Sequence, residues 1–216
     1  MSMKILWGEL LFDFFIIATI AMYTNTLCHE WAHSFTATVF GVKSRPFDIH
    51  YTPFLFGIDE KVNYDKVAEL PAWQGVAIAA AGPVVNFLFA CLSLIFLLIF
   101  RWPSTIGHRT LLFFLYSLAF FSIGGWFNYT IIRGIVPRGD IANIVRFGSI
   151  PSWTIWLLGI ITSIILLLLF FGPASVKFCQ TFNLIGKKAR LVELVIVASF
   201  FLMYQGNVIY NYLFKY

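Results

Sequence analysis

The chain has 216 residues, of which 60% are hydrophobic and only 12% charged, against roughly 45–50% and a quarter in soluble domains. That balance excludes an ordinary soluble domain and predicts an integral, multi-pass membrane protein embedded in a lipid bilayer. The net charge of +5 comes from Lys and Arg scattered between apolar blocks, a pattern suited to lipid headgroups and unlike a nucleic-acid-binding stripe, so no nucleic-acid partner is expected. Cys28, Cys91 and Cys179 lie in or beside apolar segments without paired spacing and read as small apolar residues rather than as a disulfide frame or a thiolate metal site.

A helix needs about 20 apolar residues to cross the hydrocarbon core. In chain order the stretches Phe14 to Phe40, Ala72 to Phe100, Leu111 to Ile132, Trp153 to Phe171 and Leu191 to Leu213 qualify. Unpaired backbone groups are intolerable in lipid, and none of the stretches shows the alternation of barrel strands, so helices are predicted. Met1 to Asp13 does not read as a signal peptide, because it has one Lys, two acids and no cleavage-like sequence. The connection Gly41 to Pro71 holds nine charged residues, and Phe47-Asp48-Ile49-His50-Tyr51 and Phe54-Leu55-Phe56-Gly57-Ile58 alternate on either side of Pro53. A hairpin at the membrane surface fits that alternation. The expected fold is an all-α polytopic membrane protein of about five transmembrane helices, with a small membrane-associated β-hairpin after the first. Lys and Arg number seven on the N-terminal side and eight on the other, so the positive-inside rule does not orient it.

The acids and imidazoles of the first span are clustered as His29-Glu30-Trp31-Ala32-His33, an H-E-x-x-H motif. At 3.6 residues per turn the two His project from one helix face, so both imidazoles can reach one Zn²⁺ while Glu30 stands beside the water that completes its coordination. His29 lies about 16 Å inside the span's end at 1.5 Å per residue, and ionisable groups at such depth are usually functional.

Two His leave a tetrahedral zinc short of one protein ligand. The first and third spans run in the same direction, which places Asp140, in Ile135-Val136-Pro137-Arg138-Gly139-Asp140, on the side where the two His sit. Taken alone, Asp140 after Pro137 and Gly139 reads as a helix N-cap; beside the H-E-x-x-H motif it reads as the third ligand. His50, in the surface loop, is a competitor, whereas His108 and Glu193 enter from the opposite side. In Ala81-Gly82-Pro83-Val84-Val85-Asn86, Gly82 allows close helix approach, and Pro83 frees a backbone carbonyl. Asn86 is either a packing residue bonded to a neighbouring helix or a polar group aimed at the site.

Together these elements resemble the site-2 protease family of intramembrane zinc metalloproteases, which carries H-E-x-x-H on one membrane helix, A-G-P-x-x-N on the next and an Asp ligand after a Pro-containing stretch on the one after. Phe40-Gly41-Val42-Lys43 is also similar to the segment just after the family's zinc helix, and the likeness covers residues 14 to 150. Departures are Ile141 where Gly is usual, and Asn128 lying twelve residues before Asp140 instead of about eight. The resemblance implies Zn²⁺ on His29, His33 and Asp140, Glu30 as general base, and Asn86 near the oxyanion. The substrate would be a membrane protein cut in or near a transmembrane helix. A strand within Phe47 to Ile58 would hold the unwound substrate, and the N-terminus would lie outside the cytosol. Residues 1–150 would form the metalloprotease-like core, made of three helices and the loop 41–71, with 151–216 supplying two further packing helices. Two other readings stay open: a non-catalytic membrane homologue that binds client helices or handles metal, and a metalloprotease with Glu193 as third ligand.

Overall fold

The computed structural model describes residues 13–51, 58–103, 105–184, 186–187, 191 and 193–199. A π-helical turn, Asp13–Ala18, leads into α1, Thr19–Val39. After the loop come the short α2, Tyr64–Val67, then α3, Ala72–Ile99, and α4, Ile106–Phe127. A π-helical turn, Asn128–Ile132, and α5, Arg133–Ile135, extend α4. Next come α6, Asp140–Gly148, and α7, Ser152–Leu169, with the π turn Phe170–Ala174 joining α7 to α8, Ser175–Thr181.

Three helices among the described residues are long and apolar enough to cross a membrane: Ala72–Ile99, Ile106–Ile135 and Ser152–Thr181. The expected five spans are therefore not all found. Helix α1 has the length, but Asn25, His29, Glu30, His33 and Ser34 interrupt its apolar surface, so it lacks the sustained hydropathy of the other three. Most of the expected fifth span, Leu191 to Leu213, lies outside the described residues.

The β-hairpin is not seen either, since the described residues contain no strand and a single antiparallel bridge, His50 to Asp59; 52–57 lie outside the described residues. The ion pair Lys61 Nζ to Asp48 Oδ1, 2.9 Å, keeps the register of that bridge two residues further on. Pairing goes no further for two physical reasons. Residues 45–49 close turns, Asp48 N to Arg45 O at 3.2 Å and Ile49 N to Phe47 O at 2.9 Å. The carbonyls of Asp48 and Glu60 are taken instead by the Lys43 ammonium, at 2.6 and 2.5 Å. Lys43 also donates to Ser34 Oγ, 2.7 Å, so one side chain ties both limbs of the loop to α1. Phe47 packs edge-on against Trp31 and Phe35 of the same helix.

The described residues group into two compact units. The unit from 24–89 and 122–166 carries the site. On α1 the buried positions Asn25, His29, His33 and Ala37 recur every four residues and form one inward stripe. On α3 the inward stripe is mostly small: Gly75, Ile78, Ala79, Gly82, Pro83 and Asn86 are buried. Ala37 and Ile78 meet Val67 in one apolar cluster, and Ala79 meets Ile141 and Ile144 of α6 in another. Ser122 Oγ donates to Asn25 Oδ1 at 2.7 Å, and Trp126 Nε1 to Thr162 Oγ1 at 2.8 Å, satisfying polar groups within the apolar surroundings.

The other unit comprises described residues within 1–23, 90–121 and 167–216. Tyr116 stacks between Phe170 and Phe178, with centroids 4.6 and 4.2 Å away. Beside it the buried Glu193 accepts hydrogen bonds from Tyr116 OH, 3.1 Å, from Ser175 Oγ and from Cys179 Sγ, 3.3 Å. All three cysteines are free thiols, and Cys179 acts here as a donor as well as a small apolar residue.

Removing the Lys43 ammonium should leave the carbonyls of Asp48 and Glu60 without their donor. Lys43→Met is expected to weaken the local fold of the loop by about 2 kcal/mol, seen as roughly tenfold or faster hydrogen exchange of amides in 43–61 with α3 amides unchanged.

Candidate metal centre

His29 and His33 stand on successive turns of the inward stripe of α1, so both rings point into the unit and are 3% and 1% exposed. Their Nε2 atoms are 3.3 Å apart. Asp140 Oδ2 lies 3.3 Å from each of them. Asp140 reaches them because Pro137 and Gly139 end the preceding helix and α6 begins at Asp140 itself, with Gly139 at φ +54° turning the chain inward. Ile141 and Ile144 then anchor α6 against Ala79. The carboxylate also sits in the first turn of α6, where the helix dipole favours negative charge.

His33 Nδ1 lies 2.7 Å from the carbonyl oxygen of Ile78. A carbonyl only accepts, so Nδ1 carries the proton and Nε2 is left with its lone pair directed at Asp140 and His29. Two imidazole nitrogens and a carboxylate oxygen thus converge, which favours a cation among them. The separations suit zinc: a regular tetrahedron with the observed 3.3 Å edge has its centre about 2.0 Å from each corner, within the usual zinc–nitrogen and zinc–oxygen range. Among the described residues His29, His33 and Asp140 form a group able to hold a metal ion.

Gly82 is what allows α3 to lie so close. A Cβ on Gly82 would fall 2.3 Å from His33 Nε2 and 2.5 Å from His29 Nε2. Asn86, one turn further along the same stripe, is buried beside His29. Its amide is packed against Gly125, where a Cβ would stand 2.6 Å from Nδ2, and its Oδ1 has no hydrogen bond of normal geometry.

Glu30, one position round the helix from His29, is half-buried and faces the loop, where its carboxyl meets that of Glu60. Tyr64 lies near the same carboxyl with its hydroxyl buried, and burial together with the Glu60 charge pushes the phenol above its ordinary value. His50 is in the bridge with Asp59 and is not in the His–His–Asp group. His108 hydrogen-bonds Thr105, and Glu193 bonds Tyr116, Ser175 and Cys179, so neither supplies the third acceptor. Asn128 only opens the π turn. Reading the sequence missed Glu60, the Ile78 carbonyl and Tyr129, whose ring stacks on His29 at 4.7 Å; no motif or spacing marks any of them.

The model of Peptidase family M50 matches residues 17–213. No curated protein and no solved structure gave a match.

A methyl group at Gly82 has no room beside the two imidazoles. Gly82→Ala is therefore expected to lower the metal retained per purified chain by about tenfold or more while leaving far-ultraviolet helicity intact. Elemental analysis and circular dichroism would check both.

Proposed function

Because the chain belongs to Peptidase family M50, the metalloprotease family of the site-2 proteases, we propose that it is an intramembrane zinc metalloprotease that hydrolyses a peptide bond in or near a transmembrane helix of a membrane-protein substrate. The observation that carries this reading is the equal 3.3 Å triangle of His29 Nε2, His33 Nε2 and Asp140 Oδ2.

These three atoms are the proposed ligands. Held there, Zn²⁺ would supply Lewis acidity, polarising a peptide carbonyl and lowering the pKa of water towards about 7. Asp140 contributes the negative charge that offsets the cation, and His33 keeps the required tautomer through its bond to Ile78. Glu30 accepts the proton of the attacking water on its carboxylate and returns it to the leaving amine nitrogen. For that role it must part from Glu60, the carboxyl it now meets, so substrate entry involves displacement of the loop 58–61. Asn86, buried beside His29, is the proposed polar group near the scissile carbonyl and its oxyanion.

A substrate helix hides its carbonyls in its own hydrogen bonds and has to unwind before one is attacked. The segment from Phe47 to Ile58 is the proposed surface for the unwound stretch, by strand addition next to the His50–Asp59 bridge. Residues 1–150 hold every residue of this proposed site, and 151–216 are assigned a packing role.

Glu30→Gln should retain zinc and lose cleavage by about 10²-fold or more, tested on single-span peptides in liposomes with a chelator control. Full cleavage by that variant would remove Glu30 as the base. Zinc bound with nothing cut by the unaltered chain would favour a homologue that binds client helices without cleaving them. His29→Ala and Asp140→Ala should each lose the metal itself.

A further inference from the structure

The two imidazoles are held in different ways. His33 has the Ile78 carbonyl on its second nitrogen, the usual device for orienting a ligand imidazole. His29 Nδ1 is buried without a hydrogen bond of normal geometry, and the same is true of Asn86 Oδ1 beside it. Beside the Asn86 side chain, a further contact holds the His29 ring.

That contact is a stack. The Tyr129 ring lies over His29 with centroids 4.7 Å apart and planes 27° from parallel. The Arg133 guanidinium lies over Tyr129 as well, with Cζ 4.2 Å from its centroid. The Tyr129 ring thus contacts both the His29 imidazole and the Arg133 guanidinium. The π-helical turn Asn128–Ile132 and the adjoining Arg133 place the two side chains on one helix face, four residues apart. Arg133 also reaches the chain just before the third acceptor: a Cβ on Gly139 would come 2.7 Å from its guanidinium nitrogen. That turn, at φ +54°, delivers Asp140.

We propose that Arg133 and Tyr129 form a stacked brace that positions both the His29 imidazole and the turn leading to Asp140, and so sets metal affinity without touching the metal. The inference rests on the reading of His29, His33 and Asp140 as zinc ligands. Tyr129 and Arg133 are positioning residues, and Tyr129 acts on His29 through the face of its ring.

The test measures Zn²⁺ affinity of the purified full chain by competition with a chromophoric chelator, together with the visible absorption of the Co²⁺-loaded protein and the melting of the metal-free protein. Tyr129→Leu should weaken Zn²⁺ binding roughly 10- to 100-fold, the usual span for loss of a residue that orients a ligand, and alter the Co²⁺ bands. Tyr129→Phe should restore affinity to within about threefold of the original, because the stack survives. Arg133→Met should weaken binding about 3- to 10-fold by removing the cation held over the Tyr129 ring. If Tyr129→Leu fails to fold, Arg133→Met and Tyr129→Phe decide the matter. Folded Tyr129→Leu or Arg133→Met protein that binds Zn²⁺ as tightly as the unaltered chain would overturn the brace, as would a Tyr129→Phe protein as weak as Tyr129→Leu. Failure of the unaltered chain to bind Zn²⁺ at all would instead overturn the ligand assignment.

Discussion

Three acceptor atoms held 3.3 Å apart, away from water, depend on positive charge between them. That requirement organises the unit around them. His29 and His33 are buried because they fall on the inward stripe of α1, at the same four-residue interval as Asn25 and Ala37. Asp140 is brought in by a chain reversal at Pro137 and Gly139 and kept in place by Ile141 and Ile144, which make α6 a short wedge against α3. A carboxylate at the start of α6 also gains from the helix dipole, so the local fold and the chemistry pull in the same direction.

Small residues do as much as polar ones. The inward stripe of α3 has Gly75, Ala79, Gly82 and Pro83 where an ordinary membrane helix would carry Leu or Phe. Gly82 admits the two imidazole tips, Gly75 admits Phe147, and Gly125 on α4 admits the Asn86 amide. In lipid, where no hydrophobic gain separates a protein-facing Leu from a lipid-facing one, such close backbone approach is a principal source of helix association. The helices pack where the small residues are, and those are also the places where polar side chains need room.

The loop from 41 to 63 behaves differently from a free-standing hairpin. Its carbonyls at Asp48 and Glu60 turn towards Lys43, its Phe47 settles between Trp31 and Phe35, and its Glu60 carboxyl meets Glu30. The residue proposed as base therefore touches a part of the molecule that is separately tethered, by a single ammonium, to Ser34 next to His33.

Much of the architecture was legible in the sequence, since composition and local spacing are enough to state it. Long apolar runs show which helices can sit in lipid, and the four-residue interval in His29-Glu30-Trp31-Ala32-His33 places two imidazoles on one face whatever the rest of the chain does. The order of Ala81 to Asn86 and Asp140 after that motif carried the family likeness that the match over residues 17–213 then showed. Periodicity did not reveal that α1 is too polar to resemble the other spans, because a stretch read by its ends looks apolar until its inward stripe is counted separately. Alternation around Pro53 suggested a hairpin, and backbone pairing stops at His50 and Asp59 because a lysine side chain competes for the same carbonyls. Only the tertiary structure decided that Glu60 meets Glu30, that Ile78 sets the tautomer of His33, and that Tyr129 lies on His29. Each of those contacts joins residues far apart in the chain through the packing of separate elements. The angle at which two helices cross depends on the summed fit of many side chains, which no short stretch of sequence encodes.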